Sequence, residues 1–310
     1  NRATQEFYYP GSTFKPLAAI AAREEGLTTP TEKIQDTGRL QLPEEEHYPY
    51  GDFHPQCWIY RQYGRTHGPV NVSDAIEVSC NYFFYEVGRL TGIKTLDDYA
   101  TQFGLGQYTG IEIGGPNSAE AKGALASPEY AEANDLEWSD GQTLTAAIGQ
   151  SYNLFTPLQL ANYIATLVNG GNHYPAHLLQ TVKSSDYSQV VLENEPEPLD
   201  TINISQENLE AVKYGMYLLG TEGSVAKYFK DLPVEVGAKT GTAQVGQENT
   251  EANAVFVCFA PYDDPEIAIA LVLEKGDAGA ALASTAVTIL NSYFSRESTG
   301  SILSDNELIP

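Results

Sequence analysis

The sequence predicts an α/β fold in which helices pack on an antiparallel sheet and a largely helical lobe occupies about residues 20–230. Three observations carry this. Two β-rich runs, 253–260 and 266–274, are joined by Pro261-Tyr-Asp-Asp-Pro265 and read as a hairpin. An alanine-rich stretch at 277–295 reads as a helix suited to packing on that sheet. Upstream of Lys239 the helix starts and stops recur, and beyond it the pattern turns β-rich.

Each element has a local cause. Residues 13–25 are rich in alanine and end at Gly26, a helix with its stop. From about 27 to 70 the chain is rich in Pro, Gly and aromatic residues, which predicts loops with little regular structure. Ser73 with Asp74 reads as the N-cap of a helix reaching Val78, and a second helix begins at Ser79 and stops at Gly92. Thr156-Pro157 opens another, running to Gly170-Gly171. Leu209, Val212, Met216 and Leu219 follow Ser205 at helical spacing and form a core-facing stripe.

Bulk properties narrow the function. At 310 residues the chain can bury a large core, as one large domain or two small ones. Its 42% apolar residues include no run near the roughly 18 needed for a membrane span. A net charge of −24 argues against nucleic acid or anionic lipid as direct partner and is read as solubility.

Three short motifs carry the chemistry. Ser12-Thr13-Phe14-Lys15, Ser79-Cys80-Asn81 and Lys239-Thr240-Gly241-Thr242 occur in that order, with 67 residues from Ser12 to Ser79 and 160 from Ser79 to Lys239. Each is weak alone, since Ser-x-x-Lys recurs at Ser224–Lys227 and Ser-x-Asn at Ser151–Asn153 and Ser304–Asn306. Order and context discriminate. A serine hydroxyl needs a base, and a lysine three positions on rises from the same helical face. Pro10-Gly11 breaks the chain before Ser12, and Pro16 fits only a first turn, so Ser12 sits at a helix start whose dipole favours a developing oxyanion. For Lys15 to act as base its pKa must fall from about 10.4 toward neutrality, through burial and a second cation, for which Lys239 is the candidate. The Ser224 copy lacks the Pro-Gly break and any correctly placed second motif.

Asn1-Arg-Ala-Thr-Gln5 and Tyr9-Pro-Gly-Ser-Thr-Phe-Lys-Pro16 resemble the transpeptidase domain of class B penicillin-binding proteins, most closely the cell-elongation branch. The resemblance continues through Ala75–Tyr85, Phe103–Gly106, Thr109–Ile111, Ala147–Gln150, Thr156–Leu160 and Gly237–Gln244, nearly the whole chain. Ser151 departs from it, standing where the family usually has glycine after Gly-Gln. The resemblance implies a penicillin-binding, serine β-lactamase-like fold over 1–310, with sheet strands and C-terminal helix at about 235–295. It further implies a membrane anchor, a pedestal domain and one or two sheet strands ahead of residue 1, on the extracytoplasmic face of the bacterial plasma membrane.

Roles are implied residue by residue. Ser12 is the nucleophile, Lys15 its base, Ser79 the relay to the leaving amine, and Asn81 a hold on the substrate backbone. Lys239 adds positive potential, Thr240 and Thr242 bind a terminal carboxylate, Gly241 joins them as a substrate-binding residue, and the N–H groups of Ser12 and Thr242 form the oxyanion hole. Expected ligands are D-Ala-D-Ala stem peptides and β-lactams, and the full-length partner a membrane-embedded glycan polymerase. The competing readings are a class D-like β-lactamase, an acylating β-lactam sensor and a D,D-carboxypeptidase. The absence of a Glu-x-x-Leu-Asn segment speaks against a class A type of deacylation.

No cofactor is required for this chemistry, but a structural zinc is implied. Three cysteines are an odd count and imply no complete disulfide framework, and Cys258 alternates with apolar neighbours as a core thiol. Cys57, His67 and Cys80 supply three ligands of the type zinc takes. Some elongation-type relatives look to hold zinc through Asp, Asp, His and the cysteine of the Ser-x-Asn motif; the matching positions are Asp36, Cys57 (for the second Asp), His67 and Cys80. The plain alternative is two free thiols beside a surface histidine. His47, His54, His173 and His177 are read as residues without function.

Overall fold

The computed structural model describes residues 1–42, 53–112, 120–244, 252–276 and 278–298. Its centre is a three-stranded antiparallel sheet made by Gly237–Ala243, Asn253–Ala260 and Ile267–Leu273 in that spatial order. Lys239 pairs with Val257, and Val257 with Ala270. The middle strand is buried on both faces, so it reads as an unbroken apolar run instead of an alternating one. Val255, Val257 and Phe259 point toward the helical lobe, while Phe256 and Cys258 meet Leu282 and Leu290 on the other side. Burial raises the thiol pKa of Cys258, the inert core cysteine that its strand predicts.

The helices follow their sequence signals with specific corrections. The predicted helix 13–25 is split: Gly11–Phe14 is a 3-10 turn and Lys15–Glu24 the α-helix. Asn71, not Ser73, caps Val72–Glu77, exchanging hydrogen bonds with Asp74, while Ser73 Oγ donates to Ala211 O. A capping box rewards the asparagine three residues before Asp74. Cys80 caps Asn81–Thr91, and Thr156 with Gln159 caps Pro157–Val168. Gln206–Thr221 buries Leu209, Val212, Met216 and Leu219 as expected. Gly215 and Gly220 let it approach closely; an added Cβ would stand 2.7 Å from Ser73 O and 2.3 Å from Val236 O.

The 27–70 segment holds more order than its composition suggests. Ile34–Asp36 pairs with Gly68–Val70, and Trp58–Tyr63 is a short helix. His47 and the Ser304 motif fall outside the described residues. His173 is buried against Gly104 in a short strand that follows the Pro157–Val168 helix. Two small antiparallel pairings within 172–201 have no counterpart in the sequence reading. No helix among the described residues is long and apolar enough to cross a membrane.

Candidate active site

Ser12 sits at a junction of backbone contacts. Gly11 has φ +54°, and its N–H donates to Gly149 O at 2.9 Å. A side chain at Gly149 (φ +76°) would place Cβ 2.0 Å from Gly11 O. One at Gly241 would stand 2.7 Å from Pro10 O, so the final strand lies directly against the segment preceding the serine. Thr13 Oγ1 donates to Pro10 O at 2.8 Å and Tyr163 OH to Thr13 O at 3.2 Å. Lys15 N–H donates to Ser12 O, closing the 3-10 turn from which the α-helix grows. Gly149 and Tyr163 are supports to which the sequence reading assigned no role, and Gly11, read there as a chain break, is a third. The glycine in Ile148-Gly149-Gln150 was the available signal.

The two lysines converge on the second motif. Lys15 Nζ donates to Ser79 O at 2.8 Å, Ser79 Oγ at 3.1 Å and Asn81 Oδ1 at 2.6 Å. Lys239 Nζ lies 3.0 Å from the same Ser79 hydroxyl and donates to Thr240 O at 3.1 Å. Ser79 is held at φ +56°, a strained conformation of the kind that collects at functional sites. Among the described residues, none of the Lys15 hydrogen bonds reaches the Ser12 hydroxyl. Such bonds often tighten only when substrate binds.

Both lysines are fully buried. Burial lowers the Lys15 pKa to about 8, against a smaller opposing pull from Cys80 and Cys57. Burial, and then the charge on Lys15, push Lys239 well below its ordinary range. Two ammonium groups cannot comfortably share one buried hydroxyl, so the pair titrates as a unit. This modifies the reading of Lys239 as a fixed cation, because burial and the neighbouring charge lower its pKa as well.

Thr240 and Thr242 project to one face of their strand and Lys239 and Gly241 to the other. Among the described strands this one forms a sheet edge, open on the side away from Val255 and Val257. An extended peptide can add there through backbone hydrogen bonds. The duplicate motifs do different work. Lys227 stacks over Tyr228, and Asn153 accepts from Ala126 N and donates to Ala146 O as a structural brace.

Residues 1–292 match the family model described as the penicillin binding protein transpeptidase domain. The chain belongs to that family. It is 34% identical over 307 residues to the peptidoglycan D,D-transpeptidase MrdA of Escherichia coli K12, an alignment covering 94% of this chain and 46% of that protein. For the Acinetobacter baumannii protein of the same name the identity is 32%, covering 94% and 43%. The chain thus spans about half the length of the curated relatives it matches. Pseudomonas aeruginosa PBP2 superposes with a TM-score of 0.78 at 29% identity, covering all of this chain and 64% of that one. PBP2 of Helicobacter pylori, solved in complex with MreC, also gives 0.78, at 25% identity, covering 95% and 51%.

The domain carries a second cluster behind its Ser-x-Asn motif. The ligand-type atoms of Asp36, Cys57, His67 and Cys80 all lie within 4.8 Å of one another. Cys57 and Cys80 sulfurs are 3.9 Å apart, Cys57 Sγ is 3.5 Å from His67 Nδ1, and Asp36 Oδ2 is 2.9 Å from that nitrogen and 3.7 Å from Cys80 Sγ. In a tetrahedral zinc site with Zn–S near 2.3 Å, two sulfurs stand about 3.8 Å apart, so the residues present fit the ion. Burial opposes ionisation of Asp36, but hydrogen bonds from His67 and the Gly38 N–H outweigh it and lower its pKa. Burial likewise opposes protonation of His67, yet Asp36 and Cys57 raise it to about 9. The hydrogen bond between the thiols lowers the pKa of Cys57 and raises that of Cys80. Trp58 Nε1 donates to Val78 O at 3.2 Å, a further tie between this segment and the motif.

Proposed function

We propose that this domain is the catalytic part of a peptidoglycan D,D-transpeptidase. It would acylate Ser12 with a stem peptide ending in D-Ala-D-Ala, release D-Ala, and pass the acyl group to an amine on a neighbouring strand. The observation carrying the reading is the Ser79 hydroxyl, bonded to both Lys15 and Lys239 beside the Ser12 helix start. A neutral Lys15 amine takes the Ser12 proton as the hydroxyl attacks the D-Ala carbonyl. Ser79 then hands a proton to the departing amine, and later accepts one from the incoming amine. Donors at the helix start and at Thr242 stabilise the oxyanion, each worth about 2.7–4 kcal/mol in other serine enzymes. β-Lactams react as mimics of the same acyl donor.

The names of the relatives support this reading, as does a structural relative described as coordinating polymerization and crosslinking in a peptidoglycan synthase complex, 28% identical with a TM-score of 0.78. In the full-length protein we place the domain on the extracytoplasmic face of the plasma membrane, working with a membrane-embedded glycan polymerase. The test is intact-mass analysis and peptide mapping after incubation with penicillin. A long-lived adduct on Ser12 alone is expected. An adduct on Ser224, or turnover of penicillin at lactamase-like rates, would refute the reading.

We also propose that Asp36, Cys57, His67 and Cys80 hold one structural zinc. The ion would close a four-ligand site with no open position and tie the 27–70 segment to the catalytic motif. About one zinc per chain is expected in protein purified without chelator, and the same in Cys258→Ser. Chelation should lower the melting temperature by about 2–4 °C per kcal/mol lost, with slower acylation. Metal-free protein that melts and acylates as the untreated chain does would dismiss the zinc.

A further inference from the structure

We propose that Cys57 and Cys80 form a site of reversible oxidative modification, at which a peroxide-class oxidant joins the two sulfurs and thereby slows acylation of Ser12. The zinc set implied by the family resemblance holds one cysteine, whereas this chain brings two into contact. The sulfurs stand 3.9 Å apart, and a disulfide needs about 2.05 Å. Both residues are fully buried among packed side chains, so closing that gap of about 2 Å disturbs the side chains packed around them. Cys258, the remaining thiol, lies in the cluster on the opposite face of the sheet and has neither sulfur as a neighbour.

The chemistry balances with the oxidant named. One sulfur attacks a peroxide oxygen, breaking the O–O bond, forming a sulfenic acid and releasing water. The second thiol then attacks that sulfur and expels the hydroxyl group as a second water. Two thiols lose two electrons and two protons, and one hydrogen peroxide becomes two water molecules. The bond also removes two donors from the tetrad, so any zinc held there would leave with its formation.

The consequence for Ser12 follows from where Cys80 stands. Its neighbours Ser79 and Asn81 hold Lys15 Nζ at 3.1 Å and 2.6 Å. Its own sulfur caps the helix Asn81–Thr91, accepting from Phe83 N at 3.5 Å. On the other side, Cys57 precedes Trp58, whose indole bonds Val78 O. Drawing the sulfurs together therefore pulls on the motif from both ends. A reactive geometry disturbed at this scale loses about tenfold or more in rate.

The experiment treats the whole chain with hydrogen peroxide, then measures intact mass, alkylated thiols after denaturation, zinc release by a chromogenic chelator, and acylation by a fluorescent penicillin. Expected are a mass loss of about 2 Da, a cross-linked peptide joining Cys57 to Cys80, Cys258 alone alkylated, and acylation about tenfold slower until dithiothreitol restores it. In Cys57→Ser no such cross-link forms, and the ratio of rates before and after peroxide stays near one. Three alkylated thiols in the treated chain overturn the proposal, as does a cross-link that leaves acylation unchanged. Zinc appearing with the bond supports the metal reading too. The same bond formed with no zinc released leaves this proposal standing and removes that reading alone.

Discussion

Lys15→Ala is expected to abolish measurable acylation while leaving the fold intact. Removing a general base typically costs about 10²–10⁴-fold, and here the ammonium also organises the Ser79 carbonyl, the Ser79 hydroxyl and Asn81. Stopped-flow or gel-based acylation with a fluorescent penicillin reads the rate, with circular dichroism as the fold control. The pH profile gives an independent check. Burial holds the Lys15 pKa near about 8, so acylation by the wild-type chain should rise as pH increases through that value and the amine loses its proton. The residual rate in Lys15→Ala should lack that rise. Near wild-type acylation by a folded Lys15→Ala chain would show that another group takes the Ser12 proton.

Gly149→Val should be the most damaging change at a residue that touches no substrate. Its φ of +76° disfavours any side chain, and a Cβ would meet Gly11 O at 2.0 Å, with Gly11 C and N at 2.7 Å and 2.9 Å. Both neighbours are backbone, so the segment carrying Ser12 must shift. A stability loss of about 2–4 kcal/mol is expected, with acylation down at least about 10²-fold from displacement of the nucleophile. Gly26→Ala is the control, since φ is +68° but nothing lies within 4 Å of the added carbon. It should cost only about 1–2 kcal/mol and leave acylation unchanged. If thermal melts and acylation rates of the two variants coincide, the contact with Gly11 has no special importance.

The features legible in the sequence are those whose cause is local. The hairpin at Pro261–Pro265, the Thr156 cap with Gln159, the Ser205 helix with its apolar stripe and the order of the three motifs each rest on residues a few positions apart. Asn71 was missed as the cap in favour of Ser73 because both chemistries suit the role, and the reciprocal bond to Asp74 shows only in the fold. Three further features depend on contacts across long stretches of chain. The close approach of Gly149 to Gly11, the sharing of one hydroxyl by Lys15 and Lys239, and the meeting of Asp36 with Cys80 join residues 138, 224 and 44 positions apart, differences read from their numbers. Spacing alone could not show that Lys239 loses basicity too, because that follows from burial of both amines around Ser79. Ser151 is an intermediate case. Where the family usually has glycine, the serine adopts a left-handed backbone at φ +64°, its hydroxyl donating to Gln142 Oε1.

The Ser79 hydroxyl between two amines acts as a junction in a proton wire. A hydroxyl donates one proton and accepts another, so a charge entering at Lys15 can leave at Lys239 without either lysine moving. In the proposed acylation the proton can thus change its address between the two amines with little reorientation of the surrounding dipoles. In the proposed transpeptidation the same wire would run backwards when an amine attacks the acyl-enzyme, which must shed a proton where the first leaving group gained one. Forward and reverse half-reactions of that proposed transpeptidation would thus use a single set of donors, one reversible circuit for the opening of a peptide bond and the sealing of its replacement.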